Sequence, residues 1–513
     1  MPEETTLTPP LPPVRERQRQ SALRGVLLLL GSSYADMFLG LIEIVYVLNR
    51  ILPTGRGLMV LVDYFNKYLS AAYQAPLQGL SKQLPMALGR KDEAQAQELE
   101  EVGVTSIMAL GALGSLAMMI WALCSPHLET REVLLLGSAL VWCGATFNVY
   151  RIVLRSWGTY TVVAIASVVS TVCEFGLEIL GAYFFGVVGA TAGWLLANVA
   201  QLSYLRFCAR VHLRLRWNWT MLWYLARSGW RLALVVFADM LLTTVDGVVV
   251  GSVLHMYKLG VYSIASGIAS VMKKVPDSAG FVLMPRIWER YGAENGEAQQ
   301  LRQEVLHPTL AAATVMPVLS GLLFIMIPNV LALVVPSYVA SAYAAQILCM
   351  GGAFLALPLA ANGLLVAMNR EILVAAIKLA GSAVVAGGAY WTLTHGGGFG
   401  KVAMFAVTGY ALSSALALTA ALRQFYPATG RLLREIAIIH LPFLWSIGAI
   451  KAAGTLTRLA LGRGLHGWPG DLLRMAVFLL LCLPILWYGN RETGVLSRLR
   501  RLLTKRPRPA QEA

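Results

Sequence analysis

Charge is scarce in this chain. Only 13% of its 513 residues are Asp, Glu, Lys or Arg, about half the share of a typical soluble domain. Apolar residues make up 57%, and mean hydropathy is +0.63. So few charges cannot cover that much apolar surface in water, which excludes a soluble enzyme, a disordered chain and a disulfide scaffold. Cysteine is sparse too. Cys124, Cys143, Cys173, Cys208, Cys349 and Cys482 form no CxxC motif and sit mostly in apolar blocks, so they read as packing residues rather than redox or zinc ligands. The seven histidines form no HExxH and no cluster. No metal or cofactor is expected. Acids are outnumbered, with 27 Asp and Glu against 42 Lys and Arg, a net charge of +15. In a membrane protein that excess belongs to cytoplasmic loops, and it does not imply a nucleic-acid partner.

What is present is a series of apolar blocks of about 20 residues, the length that spans a bilayer as a helix. The sequence predicts an all-α polytopic membrane protein of about fourteen spans: 25–49, 58–80, 102–123, 133–154, 160–183, 186–206, 231–254, 259–285, 308–330, 338–367, 372–393, 402–422, 435–452 and 472–489. Residues 1–20 are polar and proline-rich, and the apolar block that follows is too long for a signal peptide. With the N-terminus inside, most Lys and Arg fall on the inner side. The largest groups are Arg206 to Arg231 and Arg491 to Arg508. Both termini are therefore expected in the cytoplasm. The expected order is a disordered tail (1–20), a six-helix N-lobe (21–212) and a basic linker (213–230). A six-helix C-lobe (231–424), a helix pair (425–489) and a basic tail (490–513) follow.

The chain also repeats itself. With Ala35-Asp36-Met37 laid on Ala238-Asp239-Met240, Glu43 falls on Asp246, Gly57 on Gly260 and Leu80 on Leu283, without a gap. Six spans separate the copies, an even number, so the halves share one orientation. Parallel repeats of this kind are a transporter architecture, with the binding site between halves near the midplane.

The stretch Asp246…Gly251…Leu259-Gly260-Val261-Tyr262-Ser263-Ile264-Ala265 resembles the "D…G…LGxYSxA" pattern of the polysaccharide-exporter branch of the multidrug/oligosaccharidyl-lipid/polysaccharide (MOP) superfamily. Arg50-Ile51-Leu52 followed by Gly57-Leu58 is similar to that branch's N-terminal pattern, with Pro53 where glycine is usual. Gly89-Arg90-Lys91-Asp92 resembles its polar inner loop. The resemblance implies a flippase of undecaprenyl-diphosphate-linked oligosaccharide in a plasma (inner) membrane, working beside glycan polymerase or export machinery.

Ionisable residues at membrane depth are costly and face a cavity or a partner. Asp36 and Glu43 lie two helical turns apart, as do Asp239 and Asp246, so each pair shares a face. They read either as proton- or Na⁺-coupling acids or as interhelical hydrogen-bonding groups. Asp63 and Lys67, and Lys273 and Asp277, have the spacing of pairs within one helix. That leaves Lys274 as surplus charge on the eighth span. Lys67, Lys273 and Lys274 are candidates for a substrate diphosphate, with Arg50 and Arg56 at the outer end. Glu174 and Glu178 share a face and repel, and Lys378 is a candidate partner for them. The glycine-rich run 396–401 lacks the flanking residues of a phosphate loop: His395 and Val402 stand where glycine and Ser/Thr are required. No ATP site is present, so energy must come from an ion gradient, the membrane potential or the substrate gradient. The competing expectations are a drug or metabolite antiporter of the same superfamily and a membrane-embedded glycan polymerase or ligase. The short outer loops disfavour the enzyme.

Overall fold

The computed structural model describes residues 22–208, 215–294, 296–461 and 467–493. Both tails fall mostly outside them. The described residues form thirteen α-helices: α1 (Ala22–Gly89), α2 (Glu93–Leu123), α3 (Leu128–Ser156), α4 (Tyr160–Cys208), α5 (Trp219–Val253), α6 (Met256–Ala293), α7 (Arg302–Val334), α8 (Ala342–Ala356), α9 (Leu359–Ala367), α10 (Glu371–Thr394), α11 (Phe399–Leu422), α12 (Thr429–Leu461) and α13 (Trp468–Thr493). Ten stretches among them are long and apolar enough to cross a membrane by hydropathy.

Two helices are doubled. In α1 the backbone leaves the helix at Leu52, with φ 57° and ψ 168°. Pro53 forces this break: its ring excludes the helical conformation at the residue before it and removes an N–H. The chain turns back there, because Gly40 and Asp63 line one cavity, whereas a straight helix would hold them about 35 Å apart. In α4 the reversal falls on Gly186, at φ 62°, a conformation glycine adopts without penalty. The α4 arms then close so tightly that a Cβ on Gly181 would lie 2.1 Å from the Gly189 carbonyl oxygen. Splitting α1 and α4 and joining α8 to α9 gives fourteen crossings, in the order predicted. Neither α1 nor α6 is among the ten; α6 carries the charges of the eighth span.

Several helices outrun their apolar blocks. α5 begins at Trp219, inside the stretch expected to be a linker, because Asn218 caps it by accepting from the N–H groups of Thr220 and Met221. Asp92 caps α2 in the same way, through Gln95 N–H at 3.0 Å, so the expected inner loop 81–101 shrinks to a tight turn. The tenth span is two helices, broken at Leu357-Pro358.

Buried clusters follow the repeat. One core joins α1, α2, α3 and α4 around Leu80, Leu99 and Val153, and a second joins the outer ends of the same helices around Val62 and Val141. A third runs through α5 to α11, around Leu348, Leu364 and Val402. The final pair, α12 and α13, docks on α7 through Phe478, which sits where a Cβ on Gly321 would lie. Below, "outer" denotes the end bearing Leu52, Gly186 and Gly396, following the charge bias.

Candidate functional site

The halves meet along α1, α5 and α6, and small residues set the approach. In the repeat register Leu52 falls on His255, where the chain breaks between α5 and α6. Just beyond each break stands a glycine, and the two glycines touch. A Cβ on Gly57 would lie 2.1 Å from the Met256 carbonyl oxygen, and one on Gly260 would lie 1.7 Å from that of Pro53. Asn49 Nδ2 donates to the Val334 carbonyl at 2.7 Å at the same end. Further in, Tyr64 Oη occupies the place a Cβ on Gly247 would take, and the Tyr68 hydroxyl bonds the Thr244 hydroxyl at 2.8 Å. Toward the inner end, Gly79 and Gly229 face each other at backbone contact.

The D…G…LGxYSxA residues have packing roles along this seam. Tyr262 Oη donates to Asp246 Oδ2 at 2.6 Å. Asp246 is buried, and its Oδ1 has no hydrogen-bond partner. Leu259 fills the space beside Gly251, and Ser263 Oγ donates to the Gly260 carbonyl at 2.7 Å.

Deeper in the C half, three helices bring charges together. Lys273 of α6 donates to Asp239 Oδ2 of α5 at 2.5 Å, and Lys378 of α10 donates to Asp239 Oδ1. One carboxylate thus serves two ammonium groups, and Asp277 of α6 lies within Coulombic reach of both lysines. The side chains of Lys273, Asp239 and Lys378 are 14–30% exposed. They line a cavity of about 30 Å³ with Asn362, Tyr410, Ser413 and Ser414, of which Asn362 Oδ1 and Ser414 Oγ lack partners.

This cluster corrects two pairings read from spacing. Lys273 forms no ion pair with Asp277; it reaches across to α5 instead. Lys378 sits on Asp239, not on Glu174 or Glu178. Spacing within one helix could not show either, because the partners come from separate helices. Lys274 is exposed beside Lys273.

In the N half, Lys67 bonds Asp63 at 2.6 Å, as their spacing implies. The side chains of Asp36 and Glu43 lie outside the described residues. Arg50 Nη2 donates to the Tyr183 carbonyl at 3.1 Å and covers that ring at 5.2 Å. A cavity of about 260 Å³ opens between the arms of α1 and α4, lined by Gly40, Val47, Arg56, Met59, Val60, Asp63, Glu174, Glu178 and Trp194. The sequence does not foresee it: Glu174 and Glu178 share a face, but nothing in the sequence joins them to Arg56, Asp63 or Trp194. Among the described residues, no group of three His, Cys, Asp or Glu could hold a metal ion.

Residues 83–333 match the model of a family described as polysaccharide biosynthesis protein. No curated protein matches the chain. The fold is that of solved MOP-superfamily transporters. The inward-facing conformation of a multidrug resistance MATE family transporter is 15% identical, with TM-score 0.62 over 80% of this chain and 98% of that one. The outward-facing conformation of a transporter of that family gives 17% identity and TM-score 0.58 over 80% and 95%. A MOP superfamily transporter from Pyrococcus furiosus gives 17% identity and TM-score 0.56 over 82% and 97%.

The fold therefore defines a multi-pass membrane protein with the two-lobed architecture of the MOP-superfamily exporters. The match of residues 83–333 to a polysaccharide biosynthesis family covers just under half of the chain and agrees with the motif resemblance.

Proposed function

We propose that the chain flips undecaprenyl-diphosphate-linked oligosaccharide from the inner to the outer leaflet of the plasma membrane, for assembly of a surface polysaccharide. The observation that carries this reading is the cluster of Lys273, Asp239 and Lys378, in which two ammonium groups share one bonded carboxylate and offer paired donors to a diphosphate. Lys274 is the next residue on α6, and Lys67 is engaged by Asp63. Arg50 and Arg56 are the cations that would receive the diphosphate at the outer end. The prenyl tail stays in lipid throughout, so only the polar head must be accommodated by protein.

Alternating access by rocking of the two halves would open the seam at Gly57 and Gly260, with both termini cytoplasmic. Asp36, Glu43, Asp239 and Asp246 are the candidates for coupling this motion to an ion gradient. A glycan polymerase or export complex is the expected partner downstream.

A second reading, a drug or metabolite antiporter, is favoured by the multidrug transporters that share the fold. A paired-lysine cluster is poorly suited to the cations such proteins carry, and the family match points elsewhere.

The deciding experiment uses purified protein in liposomes with fluorescent undecaprenyl-diphosphate-linked oligosaccharide. Faster exchange between leaflets, with the glycan intact, is expected. Hydrolysis, polymerisation or transfer of the glycan would promote the enzyme reading. Export of cationic drugs with no lipid movement would promote the antiporter.

A further inference from the structure

The two halves repeat in sequence, yet their interiors differ. In the C half the space between α5, α6, α10 and α11 is nearly closed, at about 30 Å³. In the N half the space between the arms of α1 and α4 is open, at about 260 Å³. That is just below the ~300–1,000 Å³ of small-ligand pockets, room for a single small ring rather than a whole oligosaccharide.

The lining narrows the ligand class. Asp63, Glu174 and Glu178 supply carboxylate acceptors, and Arg56 supplies donors. Arg56 enters no ion pair with another described residue, and its buried Nε has no hydrogen-bond partner. Trp194 adds a flat apolar face on the same cavity. A bare cation would leave the arginine opposed, and a diphosphate would be repelled by the acids. An apolar drug would leave the buried Nε of Arg56 without a partner, at a cost of several kcal/mol. A pyranose ring matches each feature. Its hydroxyls donate to carboxylates and accept from a guanidinium, and its C–H face packs on an indole.

We propose that this N-half cavity is a saccharide subsite that takes one sugar ring of the substrate head. The proposal rests on the flippase reading and deepens it. The C-half lysines hold the diphosphate, and the N-half cavity reads the glycan, so the two repeats have divided one substrate between them.

Gly40 makes a clean test. It lines the cavity, and a Cβ placed on it meets nothing within 4 Å. Gly40→Phe therefore adds its first side-chain carbon without a clash, and its ring should take up cavity volume. Saturation-transfer NMR would be recorded on the full-length protein in nanodiscs, with free hexoses and N-acetylhexosamines as probes. At least one sugar of the panel should bind in the millimolar range. Binding should weaken at least ten-fold in Gly40→Phe and in Trp194→Ala, and remain in Gly387→Ala, where a Cβ meets nothing within 4 Å. If no sugar of the panel binds, or if binding survives both cavity variants, the subsite does not exist. If Gly40→Phe abolishes ²³Na line broadening and leaves sugar signals untouched, the cavity is a cation site instead. Lipid movement separates the two proposals. Sugar binding without any movement of the lipid removes the flippase reading alone. Movement at the wild-type rate in Gly40→Phe removes the subsite alone.

Discussion

Gly57 and Gly260 lie against each other across the seam between the two halves, each near the backbone of the chain segment that precedes the other. They are the same position in the two copies of the repeat. A pseudo-twofold axis must pass close to such a pair, so the contact locates the axis at the outer end of the bundle.

Substituting either glycine should open this contact. A Cβ on Gly260 would sit 1.7 Å from the Pro53 carbonyl, and overpacking of this kind costs about 1–3 kcal/mol. Gly57→Ala and Gly260→Ala should lower thermal stability in detergent. Both should also speed labelling of a cysteine placed at Asn49, relative to the same cysteine in the wild-type background. Gly267→Ala is the control, since a Cβ there meets nothing within 4 Å. It should be neutral or slightly stabilising. Equal effects at all three positions would show that the seam is not special.

Charge at Asp239 should matter in two opposite ways. Asp239→Asn releases two ammonium groups from their carboxylate, so it should keep or tighten binding of an undecaprenyl-diphosphate lipid. It should also slow transport at least ten-fold, because nothing then competes the diphosphate off the lysines. Lys378→Ala and Lys273→Ala should each weaken binding. Lipid pull-down and liposome exchange measured on the same preparations would separate these outcomes. Loss of monodisperse protein in all three variants would make the cluster a structural strut.

Tyr262→Phe should cost about 1–3 kcal/mol, the range for leaving a buried polar group without its partner. The ring would keep its packing against Phe399, at 5.6 Å between centroids. Only the bond to Asp246 would be lost. A melting temperature equal to wild type would show that Asp246 finds another donor.

Topology has its own check. Reporter fusions at 55, 128 and 460 should read external, and fusions at 90, 215 and 295 cytoplasmic. An external signal at 215 would overturn the assignment, because that position carries the basic segment between the halves.

Most of the crossings were legible in the sequence because hydropathy is a local property: a block of about 20 apolar residues declares itself without its neighbours, whereas the charged α6 does not pass on hydropathy. The repeat was legible for a similar reason, since Asp239 and Gly260 stand in register with Asp36 and Gly57. Helix ends were less so. Asn218 and Asp92 extend α5 and α2 past their apolar blocks by capping, and capped polar turns carry no hydropathy signal. What the charges do was decided by tertiary structure alone. Lys273 and Asp277 have the spacing of a pair, yet Lys273 bonds Asp239 on another helix, as does Lys378 from a third. Spacing along a helix fixes which side chains share a face, but not which helix that face meets. The same holds for the open N-half cavity, where Trp194 joins Arg56, Asp63 and Glu178 only because the reversals at Leu52 and Gly186 fold two long helices back on themselves.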